Sequence, residues 1–274
     1  MFGKLEKSDI ELIEAYLNSY FEETIYFQKS LEQFRKGNPV TNFYGYLQNG
    51  ELIGLFQFTN KNSLIVHYSD SVVLGNLNLL KAIKHHRPKY IKGERDVVEG
   101  IYRVICRTLE SFHEDDSLLM GYADTSMKYQ AQIPYAWINA ASEDVFQELK
   151  FFINVENQFG RNVKSINDIS KNLREMLTQQ KYYLVKGDSG LIGQGLIEEE
   201  TEEIGIIGGI YVEPAYRQHG IGAAISIKLT EQLLERGKGA FLFVMTNNSN
   251  AISLYEKIGY KILMPYRILT VRYQ

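Results

Sequence analysis

With 274 residues, of which 45% are hydrophobic and 23% charged, the chain is long enough for two folded domains and too apolar for disorder. A formal net charge of -3 supplies no global basic field for nucleic acid or an anionic membrane. The single cysteine, Cys106, excludes an intrachain disulfide and denies a zinc site its usual thiolates; with no signal-like leader and no apolar run of about 18 residues, a cytoplasmic protein without a metal is expected.

In chain order, the spacing of Ile10, Leu12, Ile13, Tyr16 and Leu17 predicts a helix over 8–34, with Ser8 as its N-cap and Gly37 and Pro39 as its stop. Three strands follow, FYGYLQ, ELIGLFQF and SLIVHYS, with Asn49-Gly50 turning the first hairpin. Then come a helix over 76–86, a short strand over 89–91, a helix over 95–112 carrying Cys106 in the core, and a strand over 117–122.

The small, polar segment ADTSMKYQAQIP at 123–134 marks a boundary, giving domains of 1–128 and 129–274. Beyond it, YAWIN reads as a strand, and 142–157 and 165–179 as helices. KYYLVK, LIGQGLIE and EIGIIGGIYV are strands, followed by a helix over about 220–236 and the strand AFLFVM. A helix over 250–258 and two strands, 260–263 and 267–272, finish the chain. Both halves share this order, and NGELIGLF at 49–56 matches DSGLIGQG at 188–195, which suggests one fold used twice.

The stretch YVEPAYRQHGIGAAIS, 211–226, carries the chemistry. Pro214 ends strand pairing, and Gly220 and Gly222 allow a ligand close to the backbone. A helix entered there offers unpaired N–H groups and the positive end of its dipole, and Arg217 adds a planar cation, so a diphosphate suits it. A Walker A loop is absent, and Ile225 stands where a dinucleotide fingerprint needs its third glycine. An ordinary strand-to-helix turn would use the same glycines.

Arg217-Gln218-His219-Gly220-Ile221-Gly222, followed by Ala223, resembles the R/Q-x-x-G-x-G/A pyrophosphate motif of the GNAT N-acyltransferase superfamily. IYVEP before it and Asn248-Ser249-Asn250-Ala251-Ile252-Ser253-Leu254-Tyr255-Glu256-Lys257-Ile258-Gly259-Tyr260 after it are similar to two further blocks of that family. The resemblance covers about 135–274 and implies an α/β (α+β) fold of two GNAT-like domains, each a mixed sheet flanked by helices. In the second, the fourth and fifth strands would splay around acetyl-CoA. Gly208-Gly209 fits such a bulge.

By resemblance, Ile210, Tyr211 and Val212 would pair with the pantetheine arm, Asn248 would contact the cofactor or order its turn, and Tyr255 would be the general acid. A phenol near pKa 10 is a weaker acid than a thiol near 8.5, so a hydrogen bond to the leaving thiolate is its larger expected contribution, unless it simply packs beside Leu254. The family's glutamate positions are occupied here by Ile206 and Phe243, which leaves water relayed to Glu203 as one route for the amine proton. The run EEETEE, 198–203, reads as a solvated hairpin turn.

At the equivalent place the first half reads SDSVVLGNLNLL, with Gly75 alone, so it is expected to be a degenerate copy. The expected function is N-acetylation of a small-molecule amine in a ternary complex, without nucleic acid or membrane partners and with a homodimer left open. The alternatives are a non-catalytic acyl-CoA-binding module with a protein partner, and transfer to protein or of a longer acyl chain.

Overall fold

The computed structural model describes residues 1–37, 41–123, 133–138, 148–159, 182–188 and 190–274, with Ser165, 167–169 and Lys171. The chain forms two compact units. The first takes Met1–Met120, Val244–Asn248 and Ile262–Gln274, and the second takes Gly121–Phe243 and Ser249–Lys261. The expected boundary at 128/129 and the helix over 165–179, apart from the few positions named, lie outside the described residues.

The elements of the first stretch are β1 (Phe2–Lys4), α1 (Ile10–Ser19), α2 (Gln28–Arg35), β2 (Thr41–Gln48), β3 (Glu51–Thr59), β4 (Ser63–Tyr68), α3 (Leu77–His86), β5 (Tyr90–Glu94), α4 (Arg95–Ile105) and β6 (Leu109–Tyr122). Those of the second are β7 (Ala136–Ile138), α5 (Leu149–Gln158), β8 (Tyr182–Gly187), β9 (Gly190–Glu200), β10 (Ile204–Val212), α6 (Ile221–Glu235), β11 (Gly239–Met245) and α7 (Ser249–Lys257). β12 (Tyr260–Tyr273) ends the chain.

The strand order is β1-β2-β3-β4-β5-β12-β6 within the first unit and β7-β8-β9-β10-β11 within the second. Each is mixed, with β4–β5 and β10–β11 as parallel pairs among antiparallel neighbours. Asn49 and Gly50, at φ 52° and 88°, make the tight turn that the hairpin between β2 and β3 requires.

Where sequence and structure differ, a local bond or a long-range strand pairing decides. The helix expected over 8–34 breaks after Ser19 into a 3-10 stretch, Glu22–Phe27, because the Thr24 hydroxyl donates to the Tyr20 carbonyl at 2.6 Å and draws the chain out of α-register. The helix expected over 95–112 stops at Ile105, where the Thr108 hydroxyl donates to the Ile105 carbonyl at 2.7 Å, and Leu109 onward joins the sheet. Cys106 lies half-buried in that turn rather than in the core. The two last strands are one, continuous through Pro265.

β12 lies in the first sheet, with Tyr266 opposite Glu94 and Thr270 opposite Tyr90. Leu269 and Val271 are buried there with Leu64, Val66, Ile91 and Ile101. Arg267 fixes the strand by paired bonds to Asp116, 2.7 and 2.9 Å, with Glu114 at 2.9 Å and Glu99 at 3.3 Å. That bidentate bond holds the Asp116 carboxyl below its usual range. Removing Arg267 would leave three carboxylates facing one another. Arg267→Met is therefore expected to destabilise the first unit by about 2–4 kcal/mol, read as a lower denaturant midpoint.

On the face of this sheet covered by α1, His67 is buried and its Nδ1 meets the Tyr16 hydroxyl at 2.8 Å. Burial lowers its pKa to about 4. The unfolded chain binds that proton from about pH 6.5 downward, while the folded unit refuses it until about pH 4. Stability from this residue is thus complete above pH 6.5 and is lost as pH falls, by up to about 3 kcal/mol at pH 4. Hydrogen exchange of β4 amides is expected to show that slope between pH 6.5 and 4, and His67→Gln to remove it.

Candidate functional site

The chain leaves β10 at Val212, makes one 3-10 turn over Pro214–Tyr216, and enters α6 at Ile221. Gln218 and Gly220 both adopt left-handed backbone, φ 65° and 78°. Gly220 is the N-cap, and among the described residues no side-chain cap bonds the first-turn N–H groups. A Cβ on Gly220 would meet nothing within 4 Å, and one on Gly222 would lie 3.8 Å from Leu254 Cδ1 and Val212 Cγ2. Packing thus leaves open space beside the donors, the space an anion approaching the backbone needs.

Arg217, Gln218 and His219 are exposed around this entrance. Arg217 is aimed, not loose: its Nε donates to the Val212 carbonyl at 3.0 Å and its Nη2 to Gln158 Oε1 at 3.3 Å. Its guanidinium carbon lies 5.9 Å from the centre of the Tyr211 ring. Tyr211 is itself packed against Phe151, so its backbone is fixed from the core side. Ile221 and Ala223 are buried and anchor the first turn of α6.

Parallel pairing of β10 with β11 runs from Ile204↔Gly239 to Ile207↔Leu242 and stops. From Gly208 to Val212 that edge of β10 is therefore not laddered to β11, which is the expected splay. The ladder to β9 slips between Gly208 and Tyr211, and Gly209 takes φ 58°. A Cβ on Gly209 would overlap Leu196 Cδ2. Gln194, 1% exposed, holds the bulge by donating from Nε2 to the Gly209 carbonyl at 3.1 Å, and its Oε1 accepts from the Tyr182 hydroxyl at 2.6 Å. Sequence reasoning missed Gln194; a lone glutamine amid the apolar and glycine residues of LIGQGLI was the available signal.

Tyr255 lies on α7, 8% exposed, with its ring 5.9 Å from that of Tyr260. Its hydroxyl makes no hydrogen bond among the described residues, and burial pushes its pKa up to about 12. Asn248 is exposed in the turn before α7, its backbone N–H donating to the Met245 carbonyl at 2.9 Å. Ile206 is buried and Phe243 half-buried, and neither offers a proton acceptor. Glu203 sits in the exposed turn before Ile204, at the far end of β10 from Val212, roughly 25 Å along the strand. The structure does not bring Glu203 to the cradle.

A nearer carboxylate was hidden in the same acidic run. Only 201–203 are turn; Glu198 to Glu200 end β9. The Glu198 carboxylate lies over Gly208, where a Cβ would stand 2.5 and 2.7 Å from its two oxygens.

The first unit has the same plan with both openings closed by its own side chains. Asn76 caps α3, its Oδ1 accepting from the N–H groups of Asn78 at 2.9 Å and Leu79 at 3.3 Å. β4–β5 pairing also stops early, at Ile65↔Lys92, but the Tyr26 hydroxyl donates to the Val66 carbonyl beyond it at 3.0 Å. A Cβ on Gly93 would lie 2.5 Å from that carbonyl.

Comparison with known structures gives the class of fold. A GCN5-related N-acetyltransferase from Sphaerobacter thermophilus superposes with a TM-score of 0.69 at 15% identity, covering 100% of this chain and 96% of that one. A tandem GNAT protein from the clavulanic acid biosynthesis pathway gives 0.58 at 10% identity, over 99% and 98%. The FR47-like protein family model matches residues 189–268, the segment that holds β9, β10, the cradle and Tyr255. The chain has the fold of these GNAT structures. A Glucosamine 6-phosphate N-acetyltransferase of Trypanosoma brucei brucei is 27% identical over 77 residues, 28% of this chain and about half, 51%, of that protein.

Because the bulge depends on a left-handed residue without a side chain, Gly209→Ala is expected to cost about 2 kcal/mol or more in the second unit. Gln194→Leu, which leaves the Gly209 carbonyl unpaired, should lower the thermal midpoint in the same direction.

Proposed function

We propose that the second unit binds acetyl-CoA and transfers its acetyl group to the amine of a small molecule by direct attack in a ternary complex. The observation that carries this is the uncapped helix entrance at Gly220 to Gly222, opening directly beside the unladdered edge of β10. First-turn N–H groups and Arg217 would take the pyrophosphate. The main chain of Ile210 to Val212 would pair with the amides of the pantetheine arm, which would deliver the thioester to Gly208-Gly209. Gln218, His219, Ile221 and Ala223 would line or support the same path.

Tyr255 is best suited to donate a hydrogen bond to the departing sulfur. With its pKa near 12, full transfer to a free thiolate near 8.5 would be uphill by roughly 5 kcal/mol. Its phenol therefore stays protonated and serves as an oriented donor. The closed entrance and filled strand gap of the first unit support its reading as a degenerate copy that holds no cofactor. A small amine, rather than a protein, is favoured by the 77-residue similarity to a sugar-phosphate acetyltransferase. A cytoplasmic setting accords with the cofactor, and among the described residues no helix is long and apolar enough to cross a membrane.

A second reading, a non-catalytic acyl-CoA binder, draws on the apolar residues at Ile206 and Phe243. Two measurements separate them. Calorimetric titration with acetyl-CoA is expected to give one site per chain, abolished by Arg217→Glu combined with Gly222→Trp; two sites would overturn the assignment of the first unit. Tyr255→Phe is expected to keep acetyl-CoA affinity within about twofold and to slow turnover about 10- to 100-fold.

A further inference from the structure

We infer that Glu198 is the acceptor-amine subsite: its carboxylate binds the incoming ammonium beside Gly208 and takes the proton that must leave before transfer. This rests on the reading of the second unit as an N-acetyltransferase.

Three independent features converge on this side chain. In the β9–β10 ladder Ile206 faces Glu199 and Ile207 faces Ile197, so Glu198 is the extra residue of a bulge. Bulges turn a side chain away from the ordinary alternation of a strand. The turned carboxylate lies against the backbone of Gly208, in volume that any larger residue would fill. Gly208 is also the first β10 residue beyond the last β10–β11 pair, so the carboxylate stands where the two strands begin to part.

Accessibility fits the role. Residues 191–197 of β9 are buried, whereas Glu198 is exposed. A chain laid along Ile210 to Val212 from the cradle reaches Gly208 about 13 Å from Val212.

A primary ammonium gives one proton to the Glu198 carboxylate, which passes it to solvent. The neutral nitrogen attacks the thioester carbon; the C–N bond forms and the C–S bond breaks, its electron pair staying on sulfur. The nitrogen's second proton ends on that sulfur through solvent, while the Tyr255 hydroxyl donates a hydrogen bond to it. One amide, one free thiol and one solvent proton result.

The test separates this inference from the reading beneath it. Wild-type protein and Glu198→Gln are titrated with acetyl-CoA, with S-(3-aminopropyl)-CoA and with S-butyl-CoA, which is of equal length but uncharged beyond the sulfur. Wild type is expected to prefer the aminopropyl conjugate about fivefold or more. Glu198→Gln should bind acetyl-CoA unchanged and lose the preference. Where thiol release is observed with a simple amine, the variant should lose about 100-fold with ethanolamine, which is an ammonium at pH 7. It should lose less than about threefold with O-methylhydroxylamine, which is already neutral. Equal preference in both proteins, or equal losses for both amines, overturns the role of Glu198. Failure of wild type to bind acetyl-CoA overturns the acetyltransferase reading itself.

Discussion

The second unit is organised around a refusal of two parallel strands to pair along their full length. β10 and β11 are laddered only as far as Ile207↔Leu242. Gly209 then enters a backbone region closed to ordinary side chains, and Gln194 secures its carbonyl from the next strand. Polar groups buried inside a sheet normally satisfy one another; here a row of them is released and must find a partner of another kind. The uncapped entrance of α6 lies one turn further along the same chain. Backbone donors thus remain available along one line, from the helix entrance to the point where the strands part.

The two units show how little separates an open site from a closed one. Both have a strand that stops pairing with its parallel neighbour and a helix that follows. In the first, Asn76 satisfies the helix N-terminus and Tyr26 satisfies the strand carbonyl. In the second, glycine stands at the N-cap. A capping side chain stabilises a helix by about 1 kcal/mol, so forgoing it has a stability cost that makes sense where a ligand supplies the missing partner.

The motif-bearing parts of this arrangement were legible in the sequence because they depend on local chemistry. Gly220, Gly222, Arg217 and Pro214 act within one turn, and their residue types state the backbone conformation required. The Asn49-Gly50 hairpin is of the same kind. What escaped is set by pairing between distant segments. The run of six residues at 198–203 is uniformly polar, so nothing local shows that Glu198 belongs to a strand and bulges toward Gly208 while Glu203 stays in the turn. Gln194 matters only because Gly209 lies across the ladder. The place of the last strand is of the same kind, since its partners on β5 are about 175 residues away.

That last pairing has a consequence for the protein as it is made. β12 is an interior strand, between β5 and β6, yet it follows β5 in the chain only after the whole of β6 to α7. At 5–20 residues per second, roughly ten to thirty seconds pass between the appearance of β5 and that of its partner. Through that interval the nascent chain carries an unpaired strand edge and a core lacking Leu269 and Val271. The amino-terminal unit of this chain thus cannot complete its core until a segment made well over a hundred residues later has emerged and paired with β5.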